Sequence, residues 1–324
     1  MKKLARELLF PLIAVVAAFV VGVGGTRGRL WSALALLVVS PVAVGPISLN
    51  TYDAWPALLT IAAVALLLAR RPVAAFAVLG LAFAAKVYPV VLLPPAAIFA
   101  WRTFGRSIAL RAIAAFAAVA AVVIVPFLAL APHGLLESFR AQAARSLQVE
   151  SLGGSLLGVA DRLGWYSAHV VHRTGHVISY DLAGPLPRAL GAVSSVAQVA
   201  AVVGVAWLYG RGRDDPERLV VVCAGAIAGF LAFTRFFSPQ YMEWLIPFVV
   251  LMLPLEWLLA GAALVLAQAW FFHYRDVFAL GGYIWLVAVR DVLVVGLFAV
   301  LCRRAVEQED PVLLENEAPV RVPS

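Results

Sequence analysis

Residues 108–131 read IALRAIAAFAAVAAVVIVPFLALA, and no charged side chain occurs from Ala112 to Ala131. A helix of about 20 such residues rises about 30 Å, which is the thickness of the hydrocarbon core of a bilayer. The whole chain of 324 residues shares this character, because 63% of it is hydrophobic and only 13% is charged. Soluble domains are about 45–50% apolar and about 25% charged. The sequence therefore predicts an integral membrane protein of the all-α class.

Apolar runs separated by short basic loops predict a polytopic transmembrane helical bundle of about eleven membrane segments. They lie near 8–24, 30–48, 55–69, 73–86, 88–101, 108–131, 189–210, 218–235, 242–257, 258–273 and 282–301. The stretch 73–101 is interrupted by Lys86-Val-Tyr-Pro89, so we expect two short helices there, re-entrant in the membrane, rather than one long helix. The bundle would occupy 1–304, and the polar acidic end, 305–324, would be a disordered cytoplasmic tail.

Arginines in the short loops indicate the orientation. They fall on one side of the predicted bundle: Arg27, Arg29, Arg70, Arg71, Arg102, Arg106, Arg111, Arg211, Arg213, Arg218, Arg303 and Arg304. That side is predicted to be cytoplasmic, and this pattern accounts for the net charge of +7 without a nucleic-acid partner. Lys2, Lys3 and Arg6 do not fit, since the alternation puts them outside. Either the first segment is not a full span, or the natural chain starts further upstream.

The opposite side then holds 51–55, a long loop at 132–188, 236–244 and 273–278. Apolar residues at near-helical spacing, with Arg140 among them, predict a short amphipathic interfacial helix in the long loop.

Metal and thiol chemistry finds little support in the sequence. Cys223 and Cys302 lie in or beside apolar runs, where cysteines usually pack as small apolar groups. His169, His172 and His176 have no nearby cysteine or acidic third ligand, so zinc is not favoured. We predict no cofactor, and a divalent metal stays an alternative without a ligand motif.

Candidate binding residues cluster on the outer side. Lys86 ends an apolar run just before Tyr88, where it offers a point charge to an anionic headgroup or forms a structural ion pair. In RSLQVES, residues 145–151, Arg145 suits a phosphate oxygen, while Gln148 and Glu150 suit sugar hydroxyls. The alternative is a solvated loop.

The stretch TRFFSPQYMEWLIPF, residues 234–248, places polar groups between two apolar runs. Ser238-Pro239-Gln240 should break the helix, and Tyr241 with Trp244 is typical of an aromatic interface belt. Arg235 and Glu243 either pair with each other or face a ligand. The outer side thus offers the cations Lys86, Arg145, Arg235 and Arg275, and the carboxylates Asp53, Glu150, Glu243 and Asp276.

Three motifs in order carry a family resemblance: K-x-Y-P at 86–89, RSLQVESLGGSLL at 145–157 and FFSPQYMEWLIP at 236–247. With LNTYDAWPALL at 49–59 and Arg290, they resemble the polytopic GT-C fold glycosyltransferases that use prenyl-phosphate sugars. The most similar group is glycosyltransferase family 87, the polyprenyl-phosphomannose-dependent mannosyltransferases. The similarity runs from about residue 30 to residue 301.

The resemblance implies transfer of a sugar, mannose, from a polyprenyl-phosphate donor to a lipid-linked or glycan acceptor, with membrane lipids as further partners. The site would face the extracytoplasmic side of a cell membrane, a bacterial plasma membrane. Asp53 and Glu150 are the candidate catalytic carboxylates, although the family's base is expected in a first outer loop upstream of this chain. The substrate-binding candidates are Lys86, Tyr88, Arg145, Gln148, Ser151, Arg235, Ser238, Gln240, Tyr241, Glu243 and Arg275. The alternatives are a lipid or solute transporter and a truncated, catalytically inactive homologue.

Overall fold

The computed structural model describes residues 27–45, 52–143, 145–173 and 179–307, which form a mainly helical molecule. Its α-helices are α1 Arg27–Val44, α2 Ala54–Leu68, α3 Pro72–Ala85, α4 Leu93–Phe104, α5 Arg106–Leu130, α6 Pro132–Ala143, α7 Leu152–Arg162, α8 Pro185–Arg211, α9 Pro216–Ala232, α10 Ile246–Val249, α11 Pro254–Phe271, α12 Tyr274–Phe278 and α13 Ile284–Glu307. The predicted segment at 8–24, the N-terminal basic residues, His176 and residues 308–324 lie outside the described residues.

Four helices of the described part are long and apolar enough to cross a membrane: α5, α8, α11 and α13. Shorter apolar helices occupy Leu30–Ser40, α2 and α3. In α5 only 11% of the most apolar 18-residue window is buried, as expected of a helix that lipid surrounds. These helices support an all-α membrane protein, whereas a total of eleven segments stays a prediction.

The break expected within 73–101 is confirmed. Helix α3 ends at Ala85, Lys86 is extended with φ −158° and ψ 142°, and a 3₁₀-helix, Tyr88–Leu92, leads into α4. Pro89 explains this break, since it cannot continue the hydrogen bonding of α3. Helix α3 also packs closely on α5 at Gly80. A Cβ at this position would lie only 2.5 Å from the carbonyl oxygen of Phe116.

The segment predicted near 242–257 is not one helix, whereas the segment predicted at 258–273 agrees with α11, Pro254–Phe271. The chain forms a 3₁₀-helix, Pro239–Trp244, then the four-residue α10, and α11 starts only at Pro254. Pro239, Pro247 and Pro254 each remove a backbone donor, so short helices and turns replace one long helix.

The long loop at 132–188 contains the expected helix, α6, whose Leu136 and Phe139 are 46% and 62% exposed. It also contains a β-hairpin that the sequence did not predict: β1 His169–Arg173 pairs antiparallel with β2 Ser179–Ala183, and Val171 lies opposite Asp181. The segment around Gln148 runs along the other edge of β2, where Val149 N donates to Tyr180 O at 3.0 Å and Leu182 N donates to Leu147 O at 2.8 Å. The fold is therefore all-α except for this small sheet.

Two hydrophobic cores support these elements. The main core joins α2, α3, α9 and the two 3₁₀-helices, and it includes the buried free thiol Cys223. A second core beneath the hairpin contains Leu147, Leu182, Trp270 and Ile284. The second core fixes the outer loop against α13, and this contact positions the site.

The sequence pattern placed Arg218 among the arginines of the short loops. In the structure Arg218 is not a loop residue. It lies in the first turn of α9 and is fully buried. Its Nε donates to Ala305 O at 2.9 Å, Nη1 to Tyr209 O at 3.0 Å and Nη2 to Leu208 O at 2.7 Å. A guanidinium provides five donors in a fixed plane, which lets one side chain bond the carboxyl ends of both α8 and α13.

Candidate functional site

Asp53, Lys86 and Trp244 meet at one point of the fold. Asp53 directly precedes α2, Lys86 follows α3, and Trp244 ends the second 3₁₀-helix. Lys86 Nζ lies 2.5 Å from Asp53 Oδ1, and Trp244 Nε1 donates to the same oxygen at 2.6 Å. Asp53 is buried, while 19% of the Lys86 side chain is exposed. The ion-pair alternative for Lys86 is therefore realised, and part of its side chain stays exposed.

Aromatic rings surround the Lys86 ammonium. Its Nζ lies 5.2, 4.9 and 5.1 Å from the ring centroids of Tyr52, Tyr241 and Trp244. These distances are within the range of cation–π attraction. Trp244 stacks on Tyr88 at 3.9 Å and on Tyr241 at 4.3 Å. Trp244 is only 2% exposed, so its interpretation as an interface-belt residue is wrong: the ring packs inside the protein because the broken helix turns it towards Asp53.

The segment 145–151 runs along β2 as far as Gln148 and then turns, since Ser151 N donates to Gln148 O at 3.1 Å. The side chains of Gln148 and Glu150 are not solvated, as the alternative of a solvated loop would require. Gln148 and Glu150 are each 4% exposed, and Gln148 Nε2 donates to Glu150 Oε2. This contact forms within the turn that begins at Gln148, so the two side chains meet although the backbone is not a continuous strand there. Ser151 has a structural task, because its Oγ accepts from Gly154 N at 3.3 Å and caps α7.

Burial raises the pKa of Glu150 to about 8, although the positive charges of Arg290 and Arg145 lower it. The loss of hydration penalises the ionised form more than these two cations favour it. At neutral pH this carboxyl is therefore mostly protonated and can donate a hydrogen bond.

Arg290 and Asp291, near the middle of α13, complete this second cluster. Arg290 Nη2 donates to Glu150 O at 2.7 Å, and Ser155 Oγ donates to Asp291 Oδ2 at 2.6 Å. The sequence had indicated Arg290 only through the family resemblance, and Asp291 was missed. The available signal was a pair of adjacent charges inside an apolar helix.

Charged groups of both clusters affect the pKa of Tyr241. Burial raises the pKa of its hydroxyl, Arg145 lowers it, and the carboxylates of Asp53 and Glu150 raise it further. Gln148 N also donates to Arg235 O at 2.9 Å, which ties the outer loop to the segment carrying Tyr241. The two polar clusters therefore belong to one region of the protein.

The other predicted residues occupy varied positions. Arg235 Nη2 donates to Gln142 O at 3.3 Å, and Arg145 lies 4.4 Å from the centre of the Phe236 ring. Glu243 is buried, whereas Ser238 and Gln240 are half-buried. Arg275 is exposed and contacts Tyr274, and Asp276 accepts from Tyr283 N at 2.9 Å. In the part of the chain that is described, no cluster of three or more His, Cys, Asp or Glu side chains could hold a metal ion.

An apolar cavity of about 220 Å³ lies between α1, α11 and the segment that carries Tyr241 and Trp244. Its walls include Val39, Met242, Trp257 and Leu264. Met242, one of these wall residues, belongs to the same 3₁₀-helix as Tyr241 and Trp244.

These features define a helical membrane protein with a buried polar site next to an apolar cavity. The sequence model of glycosyltransferase family 87 matches residues 1–239, and the chain belongs to this family. Membership indicates a membrane glycosyltransferase with a sugar donor and an acceptor. The matched part includes Asp53, Lys86 and Glu150, whereas Tyr241 and Arg290 lie beyond it. No curated protein and no solved structure matches the chain.

Proposed function

We propose that the chain transfers mannose from a polyprenyl-phosphate donor to a lipid-linked or glycan acceptor on the extracytoplasmic side of a bacterial plasma membrane. The observation that carries this proposal is the position of Lys86. A partly exposed lysine stands at the end of an apolar helix, beside the carboxylate of Asp53, and the 3₁₀-helix that packs against it also lines an apolar cavity. A lipid phosphate combines the same two chemistries, a hydrocarbon chain and an anion.

Each part of such a donor has a complementary group. The apolar cavity between α1 and α11 suits part of the isoprenoid chain. Lys86, Arg145 and Arg235 suit the phosphate, since charge-assisted bonds to phosphate are the strong ones. Gln148 and Glu150 suit hydroxyls of the sugar.

The reaction needs a base more than an acid. The bond between the sugar C1 and the phosphate oxygen breaks, the acceptor oxygen bonds to C1, and the acceptor proton passes to a carboxylate. Cations stabilise the departing phosphate. Asp53 suits the role of base by its position beside Lys86, the proposed phosphate ligand, whereas Glu150, with a pKa of about 8, suits hydrogen-bond donation to a hydroxyl.

The proposal includes a topology of about eleven membrane segments with the arginine-rich loops in the cytoplasm. The segment 242–257 would then be a broken, re-entrant one, since irregular backbone at that depth is tolerated where protein covers it. The region 132–188 would lie outside, and 305–324 would be a cytoplasmic tail, although α13 continues to Glu307.

The test uses the purified full chain in proteoliposomes with polyprenyl phosphate carrying radiolabelled mannose, and a bacterial membrane lipid extract as acceptor. Transfer predicts loss of label from the donor and its appearance in a new glycolipid. Asp53→Asn, which keeps the size of the side chain, should abolish transfer while the donor still binds. A donor that crosses the bilayer with its sugar intact would support a transporter instead, and an inert wild-type chain would contradict the proposal.

A further inference from the structure

Arg290 has bonding capacity that the described part of the protein leaves unused. The residue is fully buried, and Nη2 bonds the carbonyl oxygen of Glu150. Its Nε lies 2.9 Å from Asp291 Oδ1, but neither of these atoms has a hydrogen bond of acceptable geometry within the described residues. Nη1 likewise has no hydrogen-bond partner among them. A buried guanidinium donor without an acceptor costs free energy, so a partner is expected.

Gln148 has an unused hydrogen-bond acceptor among the described residues, whereas Arg290 has an unused donor. Its side chain is buried and its Nε2 donates to Glu150, but its Oε1 has no hydrogen-bond partner within the described residues. Arg290 therefore has an unused donor and Gln148 an unused acceptor, and both residues bond Glu150.

We propose that Arg290, Gln148 and Glu150 form a subsite for a neutral polyhydroxyl group, the sugar ring of the donor, separate from the phosphate-binding group around Lys86. This inference rests on the proposed function and adds Arg290 as a residue that selects the sugar. The reason is that both side chains contact Glu150, Arg290 through the carbonyl oxygen and Gln148 through the carboxyl, and that one leaves a donor and the other an acceptor unused among the described residues. A hydroxyl has both the acceptor and the donor that these two atoms need.

Charge favours a hydroxyl over a phosphate at this position. Asp291 already neutralises Arg290 at 2.9 Å, and a phosphate would also face the acceptor Oε1 of Gln148. Burial raises the pKa of Glu150, so its carboxyl adds a hydrogen-bond donor without a second charge. Phe237, whose ring centre lies 4.0 Å from the Arg290 guanidinium carbon, covers one face of the guanidinium. Nη1 lies on the edge of the guanidinium and is the donor that has no partner among the described residues.

Asp291 and Ser155 act as positioning residues. Ser155 Oγ bonds Asp291 Oδ2 at 2.6 Å and Leu152 O at 3.1 Å, which links α7 to α13. This link keeps the Asp291 carboxylate turned towards the start of α7, while Arg290 points to the loop that carries Gln148.

The experiment compares two lipids on the full chain in nanodiscs: polyprenyl phosphate carrying mannose and the same polyprenyl phosphate without sugar. Two variants alter the subsite by different routes. Arg290→Gln combined with Asp291→Asn removes both charges together, and Gln148→Met removes the amide at nearly constant volume. Ser179→Ala is the control, because it removes another buried hydroxyl at the start of β2.

We expect wild type to prefer the sugar-bearing lipid, and both subsite variants to weaken its binding about tenfold or more. Their affinity for the sugar-free lipid should stay that of wild type, and the control should keep the preference. An unchanged preference in both subsite variants would overturn the subsite and assign the unused atoms to a buried water. A parallel loss of both affinities would also overturn it, since the residues would then only support the fold. Wild type that binds neither lipid would reject the proposed function, and the subsite with it.

Discussion

At the scale of single residues, the site depends on how Lys86 is held. Its ammonium group is bound by Asp53 and surrounded by three rings, so it is fixed in place before any ligand arrives. Such preorganisation reduces the entropy lost when an anion binds. The exposed part of the side chain gives the anion access without breaking the core.

Removing the Lys86 charge should weaken donor binding. Lys86→Met leaves the buried Asp53 without its cation, so the matched variant adds Asp53→Asn, which keeps the site neutral. We expect binding of mannosyl polyprenyl phosphate in nanodiscs to lose about 1.5–3 kcal/mol in the double variant relative to Asp53→Asn alone. Arg145→Ala and Arg235→Ala should show losses in the same direction. Wild-type affinity in every folded variant would exclude these cations from the site.

Glu150 makes a second prediction, because its pKa is raised on folding from 4.5 to about 8. Below pH 4.5 the carboxyl is protonated in both the folded and the unfolded chain. Between pH 4.5 and pH 8 the unfolded chain ionises more readily, so this group lowers the free energy of unfolding as pH rises. Glu150→Gln should therefore be more stable than wild type at pH 8.

Thermal unfolding of both proteins in detergent from pH 5 to pH 8.5 measures this difference. The stability difference between the variant and wild type should widen as pH rises, and a constant difference would contradict the raised pKa. For activity, Glu150→Gln should keep partial transfer and Glu150→Ala should lose much more. Equal and complete loss in both would point to proton transfer by Glu150.

At the scale of elements, short breaks in the helices place the chemistry. The 3₁₀-helices Tyr88–Leu92 and Pro239–Trp244 both start beside a proline. Tyr88 of the first stacks on Trp244 of the second, and Trp244 donates to Asp53. On the other side of the bundle, Arg218 bonds the carboxyl ends of α8 and α13, which lie far apart in the chain.

Arg218→Met should destabilise the bundle, because several buried carbonyl oxygens would lose their donor at once. We expect a loss of about 3 kcal/mol in the free energy of unfolding. Arg213→Ala is the control: it alters an exposed arginine in the same loop and should change stability by less than about 0.5 kcal/mol. Chemical unfolding in mild detergent compares the two, and similar stabilities would show that Arg218 does not hold these helices together.

At the scale of the whole molecule, membrane orientation decides which compartment the site serves. The clusters around Lys86 and Arg290 lie on the side of the outer loop, whereas Arg218 and the loop at 211–216 lie at the other ends of α8 and α13. Basic loops are retained in the cytoplasm, so the site should face outward.

Single cysteines introduced at Ser167 and Asp214 test this orientation. Both positions are exposed, and Cys223 and Cys302 would first be replaced by alanine. In intact cells an impermeant thiol reagent should label Ser167→Cys and should label Asp214→Cys only after lysis. The reverse pattern would invert the topology and place the site in the cytoplasm.

The sequence by itself determined the class of the protein and most of its helices. The length of an apolar run and the position of prolines act locally, so the break after Ala85 and helix α5 could be predicted from neighbouring residues. It also identified Lys86, Gln148 and Glu150 as candidates, because polar groups beside apolar runs are conspicuous. Local pattern did not reveal the proline-broken course of 242–257 or the β-hairpin.

Only the tertiary structure decided which side chains meet. Lys86 is 33 residues from its partner Asp53, Trp244 is 191 residues from the same carboxylate, and Arg290 is 140 residues from Glu150. Periodicity along the chain carries no information about such distant pairs. They follow from how the helices pack. Packing depends on the close fit of side chains from different helices and on the free-energy cost of burying a charge without a partner.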